Sequence, residues 1–394
     1  MSDSASMHSA NDHAAFQNEI YLAGMGGIVP ELPMTYDGLV AAAKEKLSPQ
    51  AFAYVAGSAG LERTADANRD AFHQWKVVPR MMVDIDQRDT STNVLGLELP
   101  SPIMTAPIGV QGIIHREAEV AVARAAAGLG VPMLLSTVSS YSMEDVADAS
   151  GDGSRWFQLY WPAEREVAAS FVHRAEAAGY SAIVVTLDTK VLGWRPRDLA
   201  TAYLPFLQGE GLANYRTDPA FLAGLDGDWD DNLQMAILRW VSTYTDRTVT
   251  WQDLAWLRSV SNLPIVVKGV LHPDDAREAV DAGVDAIIVS NHGGRQVDNA
   301  IGALTMLPEV VDVAGEVPVL FDSGIRSGAD VFTAVCLGAK AVLVGRPWVY
   351  GLALAGADGV NHVLRSIMAE FDVTMALTGQ TRVADLGPHL LRQA

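Results

Sequence analysis

The chain predicts a (β/α)8 TIM barrel with an N-terminal helical arm and a long loop after strand 4. Three observations predict it. Short apolar runs recur eight times from Pro102 onward. Most are preceded by an Ala-rich stretch of helical periodicity that ends in glycine. Polar or glycine residues then follow at once, on the side where parallel barrels bind ligands. Eight strand–helix units in a row imply a barrel. The alternative is a doubly wound sheet, but its usual Gly-rich dinucleotide loop after the first strand is missing. With 394 residues, 49% of them hydrophobic, the chain can fill a barrel of about 250 residues with additions.

Residues 1–35 are polar and then Gly- and Pro-rich (GMGGIVPELP), which predicts an arm or cap that is loosely structured unless a neighbour holds it. Thr35–Lys46 reads as a helix. Ser48 and Pro49 supply the cap and first turn of a second helix, which runs through Tyr54 and is broken at Gly57-Ser-Ala-Gly60. Trp75–Leu99 alternates and contains polar turns, so a small hairpin is expected to close one end of the main domain. Residues 1–100 thus form an arm and cap, and 101–394 the barrel, as one domain overall. The eight runs are PIMTA (102–106), PMLLS (132–136), WFQLY (156–160), AIVVTLD (182–188), PIVVK (264–268), AIIVS (286–290), PVLFD (318–322) and AVLVG (341–345). Junctions such as AAGLGVPMLLS and VDAGVDAIIV place glycine at a helix end, then a strand, as αβ connections require. His272-Pro273-Asp274-Asp275 puts proline and acids in a first turn, where the helix dipole favours them. The spacing breaks once, between Asp188 and Pro264. Residues 196–250 hold Pro, Gly, several Trp and Tyr, and an acidic run at Asp226–Asp231. Such an excursion is either a lid over the site or an oligomer contact, and both readings stay open.

Composition excludes several classes. A net charge of −19 argues against nucleic acid and anionic membrane surfaces. No apolar run approaches a membrane span, and the first basic residue is Lys44. Neither a membrane helix nor a targeting peptide is expected. The single cysteine, Cys336, cannot form an internal disulfide, which suits a reducing cytoplasm, and its apolar setting reads as buried filler. The histidines are scattered without metal-ligand spacing, so no metal site is expected.

The stretch Ala286–Asn299 (AIIVSNHGGRQVDN) concentrates the chemistry. A buried strand stops at Ser290, and Asn291, His292, Gly293, Gly294 and Arg295 follow. A lone histidine near a strand end is more often a hydrogen-bonded structural group than a base. The other strand ends change that balance. Strand 1 is followed by Ala106-Pro-Ile-Gly109, and strand 2 ends at Ser136-Thr137. Strand 3 carries Gln158 and Tyr160. Strand 4 ends with Thr186 and Asp188, with Arg195 just beyond. Lys268 ends strand 5. Strand 7 gives Asp322-Ser-Gly324-Ile-Arg326, and strand 8 gives Gly345-Arg346. Random surface polarity would not sort itself onto one face. Gly plus Arg after strands 7 and 8 points to a phosphate-bearing ligand, held by backbone N–H groups and a cation. Tyr, Gln, Thr and Lys on the earlier strands would then meet its ring system.

SNHGGRQVD (290–298) resembles the signature of the FMN-dependent α-hydroxy acid oxidases and dehydrogenases. The resemblance runs from about Tyr36 to the C-terminus, through FxYVAGSAG, DxDTSTNVLG, TAPIG, FQLY, TLDT, VVKG, FDSGIRSGADV and VGRPWVYGLA. It implies FMN in a (β/α)8 barrel, with phosphate at the strand 7–8 loops. It also implies roles. His292 matches the base that takes a proton from substrate, and Asp188 the carboxylate that stabilises the imidazolium. Arg195 and Arg295 match a carboxylate clamp, for which planar forks suit better than lysine. Tyr54 matches a second carboxylate contact, and Tyr160 the contact to the oxygen at C2. Lys268 matches the cation that stabilises the anionic reduced ring. Ala106, Ser136, Gln158 and Thr186 match ring contacts. Asp322, Gly324, Arg326, Gly345 and Arg346 match ribityl and phosphate contacts.

Within the family, TAPIG and the long loop after strand 4 look most like lactate 2-monooxygenase. The implied reaction is oxidation of L-lactate by O2, with pyruvate decarboxylated in the site to acetate, CO2 and water. An oxidase releasing pyruvate and peroxide is one rival. An FMN-barrel isomerase is another, disfavoured by the two arginines suited to a small carboxylate. Two departures bear on the choice. Gly109 stands where the oxidases commonly have Ala, which would leave more space near the ring. The 196–250 loop exceeds the usual lid, and a tighter lid would trap pyruvate with peroxide. The resemblance also implies a homo-tetramer or homo-octamer.

Overall fold

The structure, a computed structural model, describes residues 12–394. A closed barrel of eight parallel strands forms its centre, in chain order: β1 Ile103–Thr105, β2 Met133–Ser136, β3 Arg155–Leu159, β4 Ile183–Thr186, β5 Ile265–Val270, β6 Ala286–Val289, β7 Val319–Asp322 and β8 Val342–Val344. β8 closes onto β1, with Val342 opposite Ile103. The predicted barrel is therefore the observed one.

The strands read as unbroken apolar runs because both faces are buried, and strand periodicity sorts them into two cores. Met104, Leu134, Trp156, Val184, Val266, Ile288, Leu320 and Leu343 form an interior cluster. Their neighbours Met133, Phe157, Ile183, Ile265, Ile287, Phe321 and Val342 pack in the larger cluster with the surrounding helices. Val94 and Leu99 join the interior cluster. They belong to a hairpin, Thr92–Val94 with Leu97–Leu99, that closes this end of the barrel.

Ser48 caps its helix as expected, and Thr35, expected inside the first helix, caps it instead. Thr35 Oγ1 accepts from the Gly38 amide at 3.2 Å ahead of helix Tyr36–Lys46. Ser48 Oγ accepts from the Ala51 amide at 3.1 Å ahead of helix Pro49–Ala56. Each satisfies a first-turn donor that would otherwise lack a partner.

The arm is held by a neighbour where it is described: Ala15–Met25 is a helix against Arg346–Leu377, fixed by Arg365–Glu19 at 2.8 Å. Its apolar residues do not form one stripe, since Tyr21, Leu22 and Met25 stay exposed, so no helical pattern marked it. Residues 1–11 lie outside the described residues. Only the second half of Trp75–Leu99 is the hairpin; Trp75–Val77 pairs antiparallel with Leu391–Gln393 at the chain's end. The 196–250 excursion is a packed unit, with helices such as Pro219–Ala223 and Leu233–Thr243. Its tryptophans and tyrosines are its core: Phe206 and Trp240 stack at 4.8 Å, and Tyr215 and Phe221 are fully buried.

Candidate functional site

Above the carboxyl ends of the strands lies a cavity. His292 sits in its wall at the turn after β6. The chain there takes left-handed conformations at His292 (φ 58°), Gly293 (63°) and Gly294 (79°). Gly294 is needed on two counts, since a Cβ would also meet the Ala65 amide nitrogen at 2.7 Å. Asn291 anchors the turn through paired amide bonds with Asn68 at 2.7 and 2.8 Å.

His292 Nδ1 lies 2.8 Å from Asp188 Oδ1, which also accepts from Thr189 Oγ1 at 2.9 Å. Nε2 makes no bond among the described residues, so the base can face the cavity. Burial lowers the His292 pKa below the usual imidazole value, and Asp188 opposes that shift. The imidazole is therefore neutral near pH 7 and able to accept a proton. Burial acts to raise Asp188, but the His292 and Lys268 charges outweigh it and hold the carboxyl below its ordinary range. Gly269, at φ 106° beside a bulge in β5, leaves room for this acid: a Cβ there would lie 2.8 Å from Asp188 Cβ, Cγ and Oδ2.

Lys268 lies within β5, just before its bulge, and is almost fully buried. Its ammonium donates to Ser290 Oγ at 3.0 Å and pairs with Asp322 Oδ2 at 2.9 Å. Burial disfavours its charge, but Asp322 and Asp188 outweigh that and raise its pKa. Two of three ammonium protons are engaged, and the third is left for the cavity that Lys268 lines. Ser290 was missed by the sequence reading. Its hydroxyl donates to Asp322 Oδ2 at 2.7 Å and accepts from the His292 amide at 3.0 Å. One side chain thus joins the base's turn to the lysine.

Opposite lie two arginines, Arg195 buried and Arg295 half-buried. Arg295 NH1 donates to the Tyr54 and Gly57 carbonyls at 2.6 and 2.7 Å, and its guanidinium stands 5.0 Å over the Tyr54 ring. Arg195 donates to the Arg295 carbonyl at 3.1 Å and to Gln296 Oε1 at 2.9 Å. Neither has a carboxylate partner among the described residues. Burial, with Arg195 adding, pushes the Arg295 pKa down to about 9. Two apposed cations with free N–H edges make a site for a small anion. Tyr160, pushed up to about 12 mainly by burial, stays protonated beside them.

At the far end, the two predicted phosphate arginines differ. Arg346 is engaged by the protein: it donates to the Val55, Gly293 and Gly57 carbonyls and to Ser58 Oγ, at 2.9 to 3.1 Å. Among the described residues the Arg326 guanidinium bonds only its neighbour's carbonyl, at Ile325, and stacks 4.4 Å over Tyr36. It is the freer cation, beside Gly324 and Gly345 in the cavity wall.

The structure thus gathers Tyr54, Ala106, Gly109, Tyr160, Arg195, Lys268, His292, Arg295, Asp322, Gly324, Arg326, Gly345 and Arg346 around one cavity. Asp188 stands behind His292. Ser136, Gln158 and Thr186 are buried at the ends of β2, β3 and β4 and do not line it. Gln158 Oε1 accepts from Ser136 Oγ at 3.0 Å, while its Nε2 is buried without a partner. Phe206 and Tyr244, from the excursion, line the cavity but went unremarked. Aromatic residues in an insertion look the same whether they build its core or a ligand wall. The Gly109 expectation also changes. A Cβ there would run into the Val138 carbonyl and lie 2.6 Å from Val138 Cγ2, so the glycine allows close packing rather than leaving open space.

The geometry defines a flavin-type oxidoreductase site, and comparison with known proteins gives the family. The profile of the FMN-dependent dehydrogenases matches residues 43–393. An FMN-dependent alpha-hydroxy acid dehydrogenase of Penicillium citrinum is 46% identical over 384 residues, covering 96% of each chain. An L-lactate oxidase of Lysinibacillus sphaericus is 43% identical over 90% of this chain and 91% of its own. A crystal structure of mandelate oxidase with (S)-2-phenylpropionate superposes with a TM-score of 0.80 at 38% identity, over 92% of this chain and 98% of that one. The chain belongs to the FMN-dependent dehydrogenase family. It is an FMN-dependent α-hydroxy acid oxidoreductase, and FMN is its cofactor. The residues present fit that group: an unpartnered buried amide at Gln158, a free ammonium proton at Lys268, and a half-buried guanidinium at Arg326 beside two glycines.

Proposed function

We propose that the protein oxidises L-lactate with O2 and converts pyruvate within the site to acetate, CO2 and water. The observation that supports this best is the His292–Asp188 pair facing Arg195 and Arg295, a buried base opposite two cations that lack an acid. Arg195, Arg295 and the Tyr54 hydroxyl hold the substrate carboxylate. Tyr160, protonated, donates to the oxygen at C2. His292 takes a proton at Nε2, and Asp188 stabilises the cation formed. FMN, when bound, accepts the two electrons and passes them to O2. Lys268, Ala106 and Gly109 would line its ring from the cavity wall, with Ser136, Gln158 and Thr186 buried behind them. Arg326, with Asp322, Gly324, Gly345 and Arg346, holds the ribityl phosphate end. Phe206 and Tyr244 wall the cavity from the excursion side and slow the escape of pyruvate and peroxide. Released pyruvate with peroxide is the second reading, favoured by the likeness to the L-lactate oxidase of Lysinibacillus sphaericus. A homo-tetramer or homo-octamer is part of this reading, and the exposed apolar residues of the arm, Tyr21, Leu22 and Met25, offer it a contact surface. No helix of the described residues is long and apolar enough to cross a membrane. The deciding test is a product assay in air with L-lactate. Acetate without free peroxide is expected; pyruvate with matching peroxide would replace this reading by the second.

A further inference from the structure

A second hollow adjoins the first. The two share a wall made by Leu192 and Tyr244. Two cations, Lys190 and Arg247, stand in it with one acid, Asp246. The acid is turned back on its own turn, accepting from the Thr248 amide at 2.8 Å and Thr248 Oγ1 at 2.6 Å. Lys190 Nζ donates to the Val249 carbonyl at 2.6 Å and has no carboxylate partner among the described residues. Arg247 has no hydrogen-bond or ionic partner among them. On a chain of net charge −19, a small anion is repelled by most of the surface. Unpaired cations beside the cavity give it a favourable approach, and Arg195 lies three residues beyond Leu192 on the same segment.

We infer that this hollow is the entrance by which the anionic 2-hydroxy acid reaches the site, and that Arg247, assisted by Lys190, attracts it there. The inference rests on the proposed substrate class. Its occupant is a carboxylate in transit, so Arg247 changes capture without touching the reacting atoms. Reversing one exposed charge beside the entrance changes the local anion concentration roughly three- to fivefold at low salt. Screening by about 0.3 M salt removes most of that effect.

The test compares the FMN-loaded wild type with Arg247→Glu and Arg247→Gln, by kcat and kcat/KM for L-lactate at about 10 mM and 0.3 M ionic strength. For Arg247→Glu, kcat/KM is expected to fall roughly three- to fivefold at low salt with kcat unchanged, and to rejoin wild type at high salt; Arg247→Gln should lie between. Equal salt dependence in all three proteins overturns the entrance. So does a loss that persists at high salt, since that is not attraction through solvent. Failure of wild type to be reduced by L-lactate or any other 2-hydroxy acid strikes the proposed function instead, and anaerobic bleaching of the flavin reads that separately.

Discussion

Replacing Asp188 by Asn keeps the side chain's shape and removes its charge from 2.8 Å beside the His292 ring. Both groups are buried, so solvent screens them little. With charge centres about 4 Å apart and an effective dielectric of about 20, the imidazolium formed in the reaction loses about 4 kcal/mol. Nothing nearby replaces that support, because Lys268 and Arg195 both disfavour a charged His292. At about 1.4 kcal/mol per tenfold, the loss corresponds to about a thousandfold in the rate of substrate oxidation. An asparagine amide aimed at Nδ1 would also hold the wrong tautomer, which acts in the same direction. The assay is stopped-flow bleaching of the bound flavin by L-lactate without oxygen. The limiting rate of Asp188→Asn should fall by about two to three orders of magnitude. Affinity for pyruvate should change by less than about threefold, since the arginines that hold a carboxylate are untouched. A limiting rate within about fivefold of wild type, with the flavin spectrum intact, would show that the carboxylate does not stabilise the cation.

Other consequences follow from the same geometry. Burial lowers the His292 pKa, and only the neutral ring accepts a proton, so kcat/KM should be lost as pH falls through a value below 6.5; Asp188→Asn should move that limb lower still, and a wild-type limb above 6.5 in the pH profile would contradict the assignment. Arg326→Gln should weaken FMN retention by about tenfold or more, measured by equilibrium dialysis, since it removes a charge-assisted phosphate contact. Arg346→Gln should instead show chiefly as a lower Tm, because its donors tie Val55, Gly57 and Gly293 together. Gly109→Ala should loosen FMN binding by displacing the turn from Val138; unchanged FMN affinity with a crystal structure showing no shift there would refute the packing argument. Leu320→Ala, in the sealed barrel interior, should cost about 2–5 kcal/mol in denaturant unfolding without moving KM.

The barrel was legible because each strand is short, apolar and bounded by glycine, and because parallel sheets bury both faces. The catalytic set was legible for a related reason: in this fold, function gathers at strand ends, so His292, Lys268 and Asp322 mark themselves by position. Legibility ended where a contact joins segments with no local pattern. Trp75–Val77 meets Leu391–Gln393 across nearly the whole chain, and neither stretch carries the other's register. Asn68 lies mid-helix, where the local chain gives its amide no reason to be buried, yet it holds the turn that bears His292. The arginines make the point most sharply. Arg326 and Arg346 each follow a glycine near a strand end, and their residue types predict the same phosphate contact. Only the folded chain shows that Val55, Gly57 and Gly293 engage one of them. An arginine supplies five N–H donors, and what it offers a ligand is whatever the protein's carbonyls leave over.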